Sequence, residues 1–212
     1  PGTPVPGYDC CNTPFPAPTP EPLPMSDRPL RFLIGADVPP DPNSGAAGTV
    51  YWTNQALREL GHEVDEIWRD DLPHRITHGN LHTLLELPRG YRDAVRTRCE
   101  AKEYDVIMLS QPHAWLAAKE HRDSGRPGVF INRSHGLEPR VGEALHLWRQ
   151  NHGNRSASWL RSLLRQVMKH LSKRAWPRCA RYCDRFVVPC HDDRNYLIEH
   201  LSVAPERVRT IH

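Results

Sequence analysis

Two short segments of the chain carry side chains that could bind a ligand and act on it. The first, INRSHGLEPR at 131–140, places Arg133, His135 and Glu138 around Gly136. Glycine permits backbone angles that other residues avoid, and convergent polar groups are typical of a binding site. The same pattern also fits a surface loop whose polar residues are incidental, so both interpretations stay open on these residues alone.

The second segment, SGAAG at 44–48, stands where a helix must begin. Small residues there let a ligand approach the backbone, and the free amides of a helix N-terminus attract phosphate. The segment is neither a GxGxxG fingerprint nor a Walker loop, because no lysine follows its glycines. A plain strand-to-helix turn is the alternative interpretation. The candidate ligand-binding positions are Gly45, Ala46, Ala47, Gly48 and Thr49.

From residue 30 onward, apolar runs alternate with helical patterns. Strands are predicted at LRFLIGA, HEVDEIW, YDVIMLS, PGVFINRS, DRFVVPC and ERVRTI. Helices are predicted over 46–60, in two pieces broken at Pro88, in PHAWLAAKEHRDSG, between about 139 and 180, and in RNYLIEHL. This alternation predicts an α/β fold with a Rossmann-like, doubly wound parallel sheet covered on both faces. Ligands bind at the carboxyl ends of such strands, where both polar segments would lie.

The two ends of the chain differ from its middle. Residues 1–24 contain nine prolines and almost no residues that could form a core, which predicts a disordered proline-rich tail. We therefore expect one domain over 25–212, with Met25 as its natural start. The last predicted strand reaches the end of the chain, so we also expect that a further domain normally follows.

The bulk composition excludes some classes of protein. No stretch approaches the roughly 20 apolar residues that a spanning helix needs. The net charge of +3 is mildly basic and favours contact with phosphates or anionic surfaces. Cys179 and Cys183 stand one helical turn apart, but no CxxC pair exists, so we expect buried thiols in a reducing cytoplasm and no metal site.

Three longer segments together resemble the N-terminal half of family 4 glycosyltransferases, which have the two-domain GT-B fold. The resemblance spans 29–212, and the order and spacing of the segments carry it. The first segment is similar to the start of that family: it has a strand, a proline-rich bend, a glycine-rich loop and the sequence GHEV. The His-Gly loop and the segment at the end of the chain follow in the same order as in the family. The segments are RFLIGADVPPDPNSGAAGTVYWTNQALRELGHEVD, RSHGLEPR and CDRFVVPCHDDRNYLIEHLSVAPERVRTIH.

The resemblance implies a retaining transfer of a sugar from a nucleotide-diphosphate donor, without a bound metal or other cofactor. It implies that the loop at 45–48 lies over the diphosphate and that His135 approaches the transferred sugar and the acceptor. The donor-binding domain of the family is missing from this sequence, so we expect a truncated chain that is inactive alone. A non-catalytic partner subunit, or a binding module that docks on a separate donor-binding chain, is the alternative function.

A basic stretch covers residues 155–185, with nine Lys or Arg and one acid. Its apolar residues recur at helical spacing, which fits a core-facing stripe with a solvated basic back. The alternative is a helix that lies on an anionic membrane, on the inner face, next to a glycan or lipid-linked acceptor. No nucleic-acid recognition motif accompanies the charge, so we expect no nucleic acid as a partner.

Overall fold

The computed structural model describes residues 28–137 and 174–211. The described residues do not test the predictions made for the rest of the chain, which therefore stay predictions. They concern the tail at 1–24, the domain start at Met25, Glu138, the part of the predicted helical region that lies at 139–173, and residues 155–173 of the basic stretch.

Six parallel strands form one sheet in the described residues, in the order β2-β1-β3-β4-β5-β6. This confirms the predicted Rossmann-like α/β fold, and each predicted strand is present in it. The strands are β1 (Arg31–Gly35), β2 (Glu63–Ile67), β3 (Val106–Ser110), β4 (Val129–Arg133), β5 (Arg185–Val188) and β6 (Val208–Thr210).

The strand order reverses at β1. Gly35, at the end of β1, pairs with Ile67 of β2 on one side and with Leu109 of β3 on the other. The chain therefore leaves β1 in one direction and later crosses back past it to form β3. A crevice opens at the carboxyl ends of the strands at such a reversal, and it is the usual ligand position in open parallel sheets.

Among the residues that the structure describes, five helices of eight residues or more pack on the sheet, and short 3₁₀ turns connect several elements. None of the helices in the described ranges is long and apolar enough to cross a membrane. The helices are α1 (Gly45–Glu59), α2 (Leu87–Ala101), α3 (Trp115–Asp123), α4 (Ala175–Tyr182) and α5 (His191–Leu201). The 3₁₀ turns are Arg69–Asp71, Pro112–Ala114 and Pro205–Arg207.

The helix break predicted at Pro88 is wrong. A helical turn at Gly79–Leu81 and a π-helical turn at His82–Glu86 run directly into α2, and Pro88 lies in the first turn of α2. The π turn bonds the Leu87 amide to the His82 carbonyl, five residues back. Proline is tolerated in a first helical turn, where its missing N–H deprives the helix of little.

Both faces of the sheet are buried, as the continuous apolar strands predict. Leu33 and Ile107 face the larger core cluster, which α2, α3, α4 and α5 cover. Ile34 and Met108 point to the opposite face, where Val50 of α1 packs on them. Burial on both faces holds β1 and β3 rigidly, so the residues that follow these strands have well-defined positions.

Candidate active site

The carboxyl ends of β1, β3 and β4 bring the candidate residues to one edge of the sheet. Asp37 follows β1, Gln111 follows β3, and His135 follows β4. The strands are in register at this edge, since Ser110 at the end of β3 pairs with Arg133 at the end of β4. The loop from β1 into α1 reaches the same edge, so both segments singled out in the sequence meet at the switch point.

The loop before α1 is folded closely onto the helix that it precedes. A side chain at Gly48 would place its Cβ 2.7 Å from the carbonyl oxygen of Pro42, so only glycine fits there without displacing the loop. The indole of Trp52 donates to the same Pro42 carbonyl at 3.2 Å. Gly48 and Ala47 are buried, which gives these two small residues a role in packing as well as their predicted place beside a ligand.

The first turn of α1 is open to solvent on its N-terminal side. Gly45 is exposed and has no atom within 4 Å of its Cβ position. Ser44 occupies the N-cap position without a side-chain hydrogen bond to the helix, and the first turn contains no acidic residue. The leading amides of a helix have no partner within it, so this end of α1 presents N–H groups and a partial positive charge. Thr49 is exposed, and its hydroxyl donates to the carbonyl of Ala46 at 2.8 Å.

Arg133 connects the end of β4 to α1. Its Nη1 donates a hydrogen bond to the Thr53 hydroxyl at 2.9 Å. Burial lowers the pKa of the guanidinium from its usual value, although arginine remains charged at any ordinary pH. A half-buried cation therefore lies between the helix that opens at Gly45 and the strand that leads to His135.

His135 lies in the crevice beside the end of β3. Its Nε2 is 3.1 Å from the hydroxyl oxygen of Ser110. Burial, and then repulsion from Arg133, lower the pKa of the imidazole to about 4, so the ring is neutral at pH 7. No hydrogen bond to Nδ1 is recorded among the described residues, which leaves that nitrogen for a ligand.

The backbone around His135 is held in an unusual shape. Gly136 has φ +129°, a conformation that favours glycine, and its amide donates to the Ser134 hydroxyl at 3.1 Å. The Ser134 amide in turn donates to the carbonyl of Val187 on β5 at 2.8 Å. These bonds tie the His-Gly loop to the sheet on both sides.

One further residue at this edge, Gln111, is not among the residues that the sequence patterns single out. Gln111 has φ 66° and ψ 171°, a region that essentially only glycine occupies, and its side-chain oxygen is buried without a hydrogen-bond partner. Hydrogen bonds nonetheless hold its backbone on both sides. The Gln111 amide donates to the Arg133 carbonyl at 2.9 Å, and the side-chain amide of buried Asn132 donates to the Gln111 carbonyl at 2.7 Å. Its position directly after a predicted strand on the ligand edge was the one available signal.

A cleft of about 360 Å³ opens beside this edge. The N-terminal part of α2, the turn at 112–114 and the start of α4 form its walls. The guanidinium of Arg178 lies 4.4 Å from the ring centre of Trp115, within the range of a cation–π contact. The charged and aromatic side chains that line the cleft are Arg89, Arg92, His113, Trp115 and Arg178.

One group of side chains in the described residues has the composition and spacing of a metal site. Asp37, His74 and His82 each offer one ligand atom, and these atoms lie within 4.8 Å of one another. The cysteines that the sequence raised as ligands have other surroundings. Cys179 and Cys183 are buried in the core, and the Cys179 thiol donates to the Pro112 carbonyl at 3.3 Å.

The chain is similar to a solved structure and matches a protein-family model. The chain shows similarity to the crystal structure of the glycotransferase of kitacinnamycin, at 14% sequence identity and a TM-score of 0.37, over 85% of this chain and 50% of that one. It thus spans about half the length of that structure. No curated protein matches the chain significantly. The model of Glycosyltransferase Family 4 matches residues 43–212, most of the sequence. The chain therefore belongs to glycosyltransferase family 4.

Proposed function

We propose that this chain is the acceptor-side domain of a retaining glycosyltransferase that uses a nucleotide-diphosphate sugar. The observation that carries the proposal is the link from Arg133 to Thr53, because it joins the middle of α1 to the end of β4, two residues before His135, at the switch point. A donor diphosphate and a reacting sugar must be bound together, and the segments at 45–48 and 134–136 both follow strands at this edge of the sheet. The resemblance implies that the donor's other contacts come from a second domain, so we propose that the chain alone does not transfer sugar.

The diphosphate is proposed to bind at the N-terminus of α1. The amides at Gly45 and Ala46 carry the positive end of the helix dipole, and no acidic side chain in the first turn competes with an anion. Arg133 adds a positive charge further along the same helix, where it bonds to Thr53. Negative charge grows on the leaving diphosphate as the bond to the sugar breaks, and positive groups already in place lower the energy of that state.

His135 is proposed to bind the transferred sugar through the free Nδ1 of its neutral ring. With Nε2 beside the Ser110 hydroxyl, the ring is oriented before substrate arrives. A neutral imidazole exchanges hydrogen bonds with sugar hydroxyls without adding positive charge next to the positive reaction centre. Its low pKa maintains this state throughout the physiological range.

The acceptor is proposed to enter the cleft beside α2 and α4. Its volume of about 360 Å³ lies in the range of small-ligand sites. Its arginines and Trp115 suit an acceptor that combines an anionic group with an apolar or sugar surface, as a lipid-linked glycan phosphate does. The basic stretch at 155–185 is proposed to bring the protein to the inner face of an anionic membrane that carries such an acceptor.

The donor part of the proposal is tested by titrating the isotope-labelled 212-residue chain with UDP-glucose and GDP-mannose and recording NMR spectra. We expect the amide signals of residues 45–47 and the His135 ring to shift, with weak, millimolar affinity because the donor's other contacts are proposed to come from a second domain. The matching nucleoside monophosphates, which lack the second phosphate, should shift them less. Unchanged signals at both places with every probe would contradict the proposal.

The role of His135 is tested by kinetics in an enzyme that joins this chain to the donor-binding domain of a family member. His135→Ala should lower turnover much more than it weakens donor binding, because its contact matters chiefly in the transition state. His200→Ala, which removes an exposed histidine on α5, is the matched control. A folded His135→Ala enzyme with normal turnover would remove this histidine from the site.

A further inference from the structure

Asp37, His74 and His82 converge just beyond the carboxyl end of β1. His74 Nε2 lies 3.1 Å from Asp37 Oδ1, and His82 Nε2 lies 3.3 Å from Asp37 Oδ2. The two imidazole rings are stacked, with centroids 4.5 Å apart and planes 25° from parallel, so both present Nε2 to the same carboxylate. In a tetrahedral zinc site with bonds of about 2.0–2.2 Å, neighbouring ligand atoms are roughly 3.3 Å apart. The distance from each histidine to its nearest carboxylate oxygen is close to that spacing, and the three ligand atoms lie within 4.8 Å of one another.

Glu86 fixes the orientation of His82 from behind. Its Oε2 lies 2.9 Å from His82 Nδ1, and its two oxygens accept hydrogen bonds from the amides of Arg75 and Ile76 at 2.9 Å each. Glu86 therefore accepts hydrogen bonds from these two amides while it contacts the His82 ring. In many metal sites a histidine binds the cation through one ring nitrogen and donates the N–H of the other to a carboxylate, which fixes the orientation of the ring.

The proton on Nδ1 leaves the Nε2 lone pair of a neutral His82 directed at Asp37 Oδ2. Two acceptors 3.3 Å apart repel each other unless a cation lies between them or the ring takes a second proton. A second proton on His82 would satisfy Oδ2 alone. The buried Oδ1 of Asp37 would still lack a hydrogen bond, because His74 Nε2 faces it outside hydrogen-bonding geometry and bonds to the Arg69 carbonyl at 3.2 Å.

We propose that Asp37, His74 and His82 bind a divalent transition-metal cation of the zinc type. Two imidazole nitrogens and a carboxylate form a ligand set that zinc accepts, and His74 is exposed enough for water to complete the coordination. To bind the metal, His74 takes the neutral tautomer with its proton on Nδ1, and the Nε2 lone pair exchanges the bond to the Arg69 carbonyl for the cation. A single cation would bind the carboxylate of Asp37 and the Nε2 atoms of both histidines at once. A proton on one histidine, or an ion pair between one histidine and Asp37, would leave part of this group without a partner.

The cation would act as a clamp, separate from sugar transfer. Asp37 begins the loop that leads to α1, His74 follows the turn at Arg69–Asp71, and His82 opens the π turn. One metal would therefore hold three segments together at the base of the loop that covers Gly48. The π turn serves this arrangement, since it brings His82 and Glu86 together one turn before α2.

The test uses the full 212-residue chain, stripped of metal with a chelator and titrated with Co²⁺. We expect one Co²⁺ per chain with the strong visible absorption of a four- or five-coordinate site, displaced by Zn²⁺. Asp37→Ala, His74→Ala and His82→Ala should each abolish this signal. Glu86→Gln should weaken binding about 10- to 100-fold, because the ring of His82 is held less firmly. Zn²⁺ should also raise the melting temperature of the wild-type chain and not that of His74→Ala.

Two controls make the result decisive. His78→Ala removes an exposed histidine from the same stretch and should leave the Co²⁺ signal unchanged. His74 is at the surface, so its alanine variant should fold, which circular dichroism checks if His82→Ala does not. Absence of Co²⁺ binding, equal binding by wild type and His74→Ala, or a thiolate charge-transfer band that assigns the metal to cysteine would each overturn the proposal.

Discussion

The guanidinium of Arg133, at the end of β4, donates a 2.9 Å hydrogen bond to the hydroxyl of Thr53, in the middle of α1. Eighty residues separate the two in sequence. The bond matters because Arg133 is half-buried, so its charge has exchanged water for a protein partner. It also links α1, which begins at the proposed diphosphate site, to the strand that leads to His135.

Thr53→Val should destabilise the protein by about 1–3 kcal/mol, because it removes a hydrogen-bond partner from a half-buried charge while keeping the side-chain shape. Thr49→Val is the matched control. Thr49 is one turn earlier, exposed, and bonds to the carbonyl of Ala46 instead of a buried charge. Urea unfolding of both variants measures the difference. Equal stability of the two would mean that Arg133 gains nothing from Thr53.

Gly48→Ala and Gly45→Ala should differ in stability although both add one methyl group to the first turn of α1. At Gly48 the methyl group would lie 2.7 Å from the Pro42 carbonyl, so the loop must move, at a cost of about 1–3 kcal/mol. At Gly45 it meets nothing within 4 Å, and the better helix propensity of alanine should leave stability unchanged or slightly raised. Denaturant midpoints of the pair decide the matter; a Gly48→Ala variant as stable as Gly45→Ala would contradict the packing found here.

Gln111→Gly should stabilise the protein by about 1 kcal/mol or more. Glycine relieves a backbone conformation that costs of order 1–3 kcal/mol in other residues, and it also removes the buried side-chain oxygen that lacks a partner. Gln55→Gly, at a position inside α1, should instead cost roughly 1 kcal/mol. Thermal or urea unfolding gives both values. A loss of stability in Gln111→Gly would show that the contacts of the Gln111 side chain stabilise the fold by more than its strained backbone destabilises it.

Acid should destabilise the protein between pH 6.5 and 4 through His113. Burial, the largest cause, lowers the pKa of this histidine from 6.5 to about 4, with a smaller contribution from His82 and partial opposition from Asp37 and the Thr83 backbone. Below pH 6.5 the unfolded chain takes up the proton while the folded protein does not, so stability falls with pH until about 4. The loss from this group is at most about 3 kcal/mol.

The matched variant for this prediction is His113→Gln, which is neutral at every pH. Its stability, measured by urea unfolding at intervals from pH 7 to 4, should fall less steeply than that of the wild type. His135 has a similarly lowered pKa and should keep part of the slope in both proteins. Parallel curves for wild type and variant would show that His113 takes up its proton in the folded state.

The apolar runs at 30–36 and 104–110 predicted β1 and β3 because a buried parallel strand needs apolar side chains on both faces. The helix predicted over 46–60 ends at Glu59, and Gly61 just after it has a φ of +86°, where the chain turns as only glycine does easily. The helix break predicted at Pro88 is wrong, because the π turn continues directly into α2. The π turn at His82–Glu86 decides where α2 begins relative to Pro88, and such a turn has no clear sequence signature.

By itself, the sequence determined the strands, the helices and the edge at which their polar residues meet, because periodicity, glycine and proline act over a few neighbouring residues. Only the tertiary structure decided which of those residues touch. The bond from Arg133 to Thr53, the contact of Gly48 with Pro42 and the convergence of His74 and His82 on Asp37 join positions that the order of strands, and not their spacing along the chain, brings together. Such contacts depend on packing across the sheet, which no local pattern encodes.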